Sequence, residues 1–159
     1  MPQYPQAATN MIITGGLPLF MSFEACGAIL PGDLVQFCDA PAGDCRIQAA
    51  TVDSTAVVGV ADISAASATT PPRGSSRTVA YASADQVKVV RGPLTIMLRL
   101  LASEEIQCGE MVQPAASGEV KAYICGTDND CQRIAQSLET VTQDTSTFQW
   151  LHCALERFG

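Results

Sequence analysis

The sequence predicts an all-β protein: a small β-barrel or sandwich built from two similar β-hairpin units, with an extended N-terminal arm. Three observations point there. First, a short pattern is written twice, as Gly32-Asp33-Leu34-Val35-Gln36 followed by Gly43-Asp44, and as Gly109-Glu110-Met111-Val112-Gln113 followed by Gly118-Glu119. The offsets between the copies, 77 and 75 residues, agree to within two, which a duplicated folding unit explains and a catalytic motif does not. Second, apolar residues between the copies alternate with a period of two. Third, Gly, Pro, Asn and Asp interrupt the chain at short intervals, as strands joined by turns require.

Residues 1–30 read as the arm. Pro2 and Pro5 block regular helix and central-strand pairing, and the apolar stretch after them has no steady period. Such an end packs along the body or on a neighbouring subunit. Residues 31–159 form the β domain, with halves starting near 32 and 109. The segment 33–37 alternates, with Leu34 and Gln36 on one side and Val35 and Phe37 on the other. A turn at 41–44 returns the chain through 45–52 as a hairpin. The nearly continuous apolar run at 55–63 is a buried strand, and Gly59 inside it marks a bulge or a close backbone approach.

Residues 64–78 form a long loop by composition, rich in Ser, Thr and Pro. Its Arg73 and Arg77 stand out in an acidic chain, either as solvated charges or as contacts to an acidic partner. Segments 77–83 and 86–92 alternate as strands. So does 93–102, with Leu94, Ile96, Leu98 and Leu100 facing one way and Thr95, Met97 and Arg99 the other. The second repeat follows, with its turn at Ser117-Gly118. Gly126–Asp130 is a turn rather than a calcium loop, because the EF-hand spacing is missing. Residues 132–141 lean to strand, and the closing alternation places Trp150 and His152 opposite Leu151, Cys153 and Leu155. Within each repeat, Gly supplies a turn position with positive φ, the acid stays outside, and the aliphatic residues point inward.

Composition narrows the function. A net charge of −7 with nine Lys and Arg in total argues against a nucleic-acid module, since phosphate binding needs clustered cations. The first basic residue is Arg46, so no secretory leader is expected, and the apolar stretch 11–23 is too short and too broken to span a membrane. The charged share, 16%, is low enough that a partner covering part of the surface is expected. Phe20, Phe23 and Trp150 are interface candidates, Trp150 serving equally well as a core residue.

The chemical search finds no catalytic residue, no cofactor motif and no metal set. The seven cysteines contain no C-x-x-C, and His152 is the sole histidine. Cys38 with Cys45, and Cys125 with Cys131, flank turns in corresponding places. Each pair is a possible cross-hairpin disulfide, or else four small buried apolar residues. Adjacent His152 and Cys153 on a strand point to opposite faces, a poor dyad.

The order of these segments resembles a known family. A Gly-Asp-x-Val start at 32, a Gly-Val-Ala strand at 59–61, a central strand block and a second Gly-acid-x-Val unit at 109 are similar to the capsid decoration, or cement, proteins of tailed viruses, over roughly residues 30–158. The resemblance implies a non-enzymatic virion protein, made in the host cytoplasm, that coats the outside of an assembled capsid. It implies the major capsid protein as partner, a homo-oligomer with a trimer favoured, and no catalytic residues. The seven cysteines and the long 64–78 loop depart from the family pattern. The other readings are a structural subunit of a fibre or surface layer, and a cysteine-dependent enzyme with His152 as base.

Overall fold

The computed structural model describes residues 12–15, 19–38, 45–62, 79–142 and 149–155. Eleven strands lie among them: β1 Ile12–Gly15, β2 Leu19–Ala25, β3 Leu34–Phe37, β4 Arg46–Ala49, β5 Val57–Ala61, β6 Gln86–Arg91, β7 Leu94–Leu100, β8 Met111–Pro114, β9 Val120–Ala122, β10 Ala135–Ser137 and β11 Gln149–Leu155. A turn at Ala116–Gly118, with Ser117 left-handed at φ 57°, and a one-turn 3-10 segment at Asp130–Gln132 interrupt the second half.

The strands close into two five-stranded barrels. The first runs β2-β4-β3-β5-β6 and closes through β2–β6. The second runs β7-β9-β8-β10-β11, with β7 joined in parallel to β9 and antiparallel to β11. The order is the same in both: each first strand takes the third in parallel (β2 with β4, β7 with β9) and the fifth antiparallel. The repeat legible in the sequence is therefore larger than a hairpin. Hairpins β3–β4 and β8–β9 are its recognisable part, each set within a whole barrel.

Alternation along the strands assigns the faces. Ala25, Ile29, Val35, Ile47, Ala61, Tyr81, Val87 and Val89 point into the first barrel and form its core. Their strand neighbours Leu34, Val60 and Val90 point outward, yet are fully buried, because they merge with the core of the second barrel: Ile96, Leu98, Leu100, Val112, Leu151 and Cys153. The two barrels thus share one apolar cluster. This is why β7 is buried on both faces from Ile96 onward, Met97 and Arg99 included, rather than half-exposed. Gly59 sits where β5 crosses β6, and a side chain there would meet Val89 Cγ1 at 2.5 Å and the Val90 carbonyl at 2.8 Å.

Two elements differ from the sequence expectation. The segment read as an arm enters the fold early. Leu19–Ala25 is a barrel strand paired with β6 along six residues, and Ile12–Gly15 joins β7 of the second barrel within the same chain. Its apolar residues showed no period because β2 has one end in the core and the other in solvent. Of the segment read as a strand at 77–83, the described residues 79–83 contribute only the isolated bridge between Tyr81 and Ile29, since Tyr81 turns its ring into the core and its hydroxyl donates to the Asp62 carbonyl at 2.6 Å. Residues 1–11, the expected loop 64–78 with Arg73 and Arg77, and the pair Gly43-Asp44 lie outside the described residues.

Candidate functional site at the barrel junction

The repeated Gly-acid pairs build the same turn twice. At residues 30–33, Gly32 has φ 94°, the Asp33 N–H donates to the Leu30 carbonyl at 3.0 Å, and the Leu30 N–H donates back to the Asp33 carboxylate at 2.8 Å. At residues 107–110, Gly109 has φ 93°, and Glu110 and Gln107 make the same two bonds at 3.0 and 2.7 Å. The glycine permits the left-handed residue, and the acid side chain closes the turn by capping its own first N–H. A third turn of this kind, without glycine, precedes β6, where the Ala82 N–H donates to Asp85 at 2.8 Å and Ala84 takes φ 68°.

The acids do not all stay outside. Glu110 is exposed, but Asp33 is 2% exposed because its turn faces the second barrel. There it meets Arg99 of β7, whose guanidinium donates to Asp33 at 2.6 Å and to Glu119 at 2.5 Å. Arg99 also donates its backbone N–H to the Gly32 carbonyl at 3.2 Å. The acid of the first Gly-acid pair in one half and that of the second pair in the other are thus held by one cation. Gly118 closes the contact. Its N–H donates to the Ala50 carbonyl at 2.9 Å, and a Cβ there would lie 2.7 Å from that of Asp33. Trp150, in register with Arg99 across β7 and β11, is half-buried against the shared apolar cluster.

Burial raises the Asp33 carboxyl from its ordinary value of 3.8 to about 6, against the opposing pull of Arg99 and the Leu30 N–H. Burial likewise raises Glu119, again opposed by Arg99. A cleft of about 790 Å³ adjoins the triad, walled largely by small residues such as Ala28, Ala49, Ala50 and Ala116. Both ends of the guanidinium are already committed to carboxylates. The arrangement is suited to clasping the two barrels.

The remaining candidates fall elsewhere. Phe20 is 46% exposed on β2, with the Lys88 ammonium 4.4 Å from its ring centroid. Phe23 is half-buried and meets Phe37 edge-on at 5.5 Å. Neither expected disulfide is present: Cys38 is bonded to Cys26, while Cys45, Cys125 and Cys131 are free and exposed. The register explains the first correction. The Cys38 N–H donates to the Arg46 carbonyl, so Arg46 rather than Cys45 lies opposite it, and Cys26 arrives on the other flank of β4. Nor are Cys45, Cys125 and Cys131 small core residues. Of the free cysteines only Cys153 is buried, and burial pushes its thiol well up, while His152 beside it sits on the opposite face of β11.

Arg99 is the residue that sequence reasoning placed without a role. Its signal was a lone cation inside the apolar run Leu94–Leu101, which asks for buried carboxylates nearby.

Among solved structures, the chain is similar to the head fiber gp8.5 N base of bacteriophage phi29. The match covers 88% of this chain and 95% of that one at 12% identity, with a TM-score of 0.55. At that identity the likeness is one of fold. It spans both barrels rather than one. No protein-family model matches the chain, and no curated protein matches it.

Proposed function

We propose that this protein is a structural component of a tailed-virus particle, bound to the outside of the assembled head and stabilising it as a decoration protein. The observation that supports the reading best is the shared fold along nearly the whole of both chains with a phage head fiber base. The internal architecture is consistent with it. The duplicated barrels are locked by a buried ion triad and a common core, and the chemically distinctive residues are spent on that lock. On this reading the protein is not an enzyme, its partner is the major capsid protein, and it acts as a small closed oligomer, a trimer being favoured. A ligand that binds only the assembled shell stabilises it by mass action.

A second reading has its own support. The structural neighbour is named as the base of a head fiber, so this chain serves equally as the foot on which an appendage stands. Both readings place it on the virion. Density-gradient separation of native source material, with each fraction probed for this chain, tests them together. Co-migration with large DNA-containing particles is the expected result, and recovery only as a small soluble species overturns both. Heating purified particles with and without the protein then separates them, because a decoration protein raises the temperature of capsid disruption and a fiber base leaves it unchanged.

A further inference from the structure

Among the described residues, the duplication shows a strand position that is filled in one barrel and open in the other. Parallel pairing aligns the first strands: Ala25 meets Ile47 of β4 as Leu100 meets Val120 of β9. Counting back along each strand sets Leu19, Phe20 and Met21 on Leu94, Thr95 and Ile96. In the second barrel those three residues are covered on the β9 side by β1, antiparallel, with Ile12 opposite Ile96, Thr14 opposite Thr95 and Gly15 opposite Leu94. In the first barrel β4 reaches only Glu24 and Ala25, and among the described residues nothing pairs with Leu19–Met21 on that side.

The side chains agree. Leu19 is 57% and Phe20 46% exposed, and Phe37, packed edge-on against Phe23, is 47% exposed. Leu19 and Phe20 stand on opposite faces of that edge, and large apolar side chains exposed at a sheet edge are what protein surfaces ordinarily avoid. Of the charges nearby, Glu24 is paired with Arg46 at 3.0 Å and Lys88 with Asp62 at 2.9 Å, while Arg91 lies across from Leu19 on the β6 side, so an uncharged occupant suits the open side best. Three residues of edge bury on the order of a few hundred Å², short of the roughly 1,200–2,000 Å² of a stable dimer. That disfavours a second copy meeting this edge alone and favours an arm that is part of a wider contact.

We propose that the open edge of β2 at Leu19–Met21 is a docking position for an extended, uncharged, aliphatic strand of a partner protein, added antiparallel as β1 is added to β7. It deepens the virion reading, on which the shell supplies that strand. The probe is a capped peptide of residues 10–16, which contains the strand Ile12–Gly15 that fits the equivalent position, titrated into the isotope-labelled full chain. Amide shifts at 19–22 are expected at millimolar peptide, with binding at least about tenfold weaker in Leu19→Lys and in Phe20→Lys. No shift at 19–22, or shifts confined to 94–96, overturns the proposal. So does a concentration-dependent wild-type dimer that either variant abolishes, because the occupant is then a second copy. Binding to purified heads is the separate arm. Heads that retain the wild type and lose both variants support the docking position, and equal retention of all three overturns it while leaving the virion reading standing. Heads that bind none of them defeat the virion reading, and the peptide result still decides the edge.

Discussion

Arg99, itself 8% exposed, holds a buried carboxylate, Asp33, and a partly buried one, Glu119, from different barrels, and removing it strands both. Replacing one partner of a buried, hydrogen-bonded charge group costs about 3–5 kcal/mol, so Arg99→Ala should lower stability by that order in urea unfolding at pH 7. Asp33 gives the junction a pH dependence of unusual sign. Folded, it keeps its proton up to about pH 6, whereas the unfolded chain releases it near 3.8. Between those values the folded state binds the extra proton, so this contribution is complete below pH 4 and is lost as pH rises to 6. From that shift, its size is about 3 kcal/mol. Urea midpoints at pH 4 and pH 7 check it: the wild type should lose stability across this window, and Asp33→Asn, which does not titrate, should lose most of that slope. A wild type that gains stability from pH 4 to 7 would show that Arg99 outweighs burial.

At the scale of elements, what was legible follows from local pattern. β3, β6, β7 and β11 were readable because alternation of side chains is a property of the strand alone. Gly59 was readable as a close approach because only a missing Cβ permits one. Which outward face would be buried was not readable, since Leu34, Val60 and Val90 look like ordinary strand residues until a second barrel covers them. The buried Asp33 was missed for the same reason, and the disulfide because pairing depends on strand register rather than on spacing along the chain. Cys26 and Cys38 are separated by 12 residues, and closing a loop of that size restricts the unfolded chain by about 3 kcal/mol. Peptide mapping without reductant should link Cys26 to Cys38 and leave Cys45 alkylatable. Cys26→Ser with Cys38→Ser should lower the thermal midpoint, and a Cys38–Cys45 link would refute the register argument.

For the whole molecule, duplication does not make two independent domains. Leu34, Ala50, Val60 and Val90 belong by chain to the first barrel and by packing to the core of the second, and β1, which leads into the first barrel, pairs with β7 of the second. Separating the barrels would expose that shared apolar surface and uncover Asp33, Arg99 and Glu119 together, so a half-folded state has little to stabilise it. The chain should therefore unfold in one transition, with calorimetric and van't Hoff enthalpies agreeing and intrinsic Trp150 emission, a probe in β11, following the same curve as far-ultraviolet dichroism. The junction variants sharpen the test. Gly118→Ala forces a side chain against Asp33 and the Leu34 carbonyl at a residue with φ 76°, which disturbs the interface and neither core. If the barrels stand or fall together, that variant lowers the single midpoint. If it instead splits the curve into two transitions, the barrels are autonomous and the shared cluster is a contact surface rather than a common core.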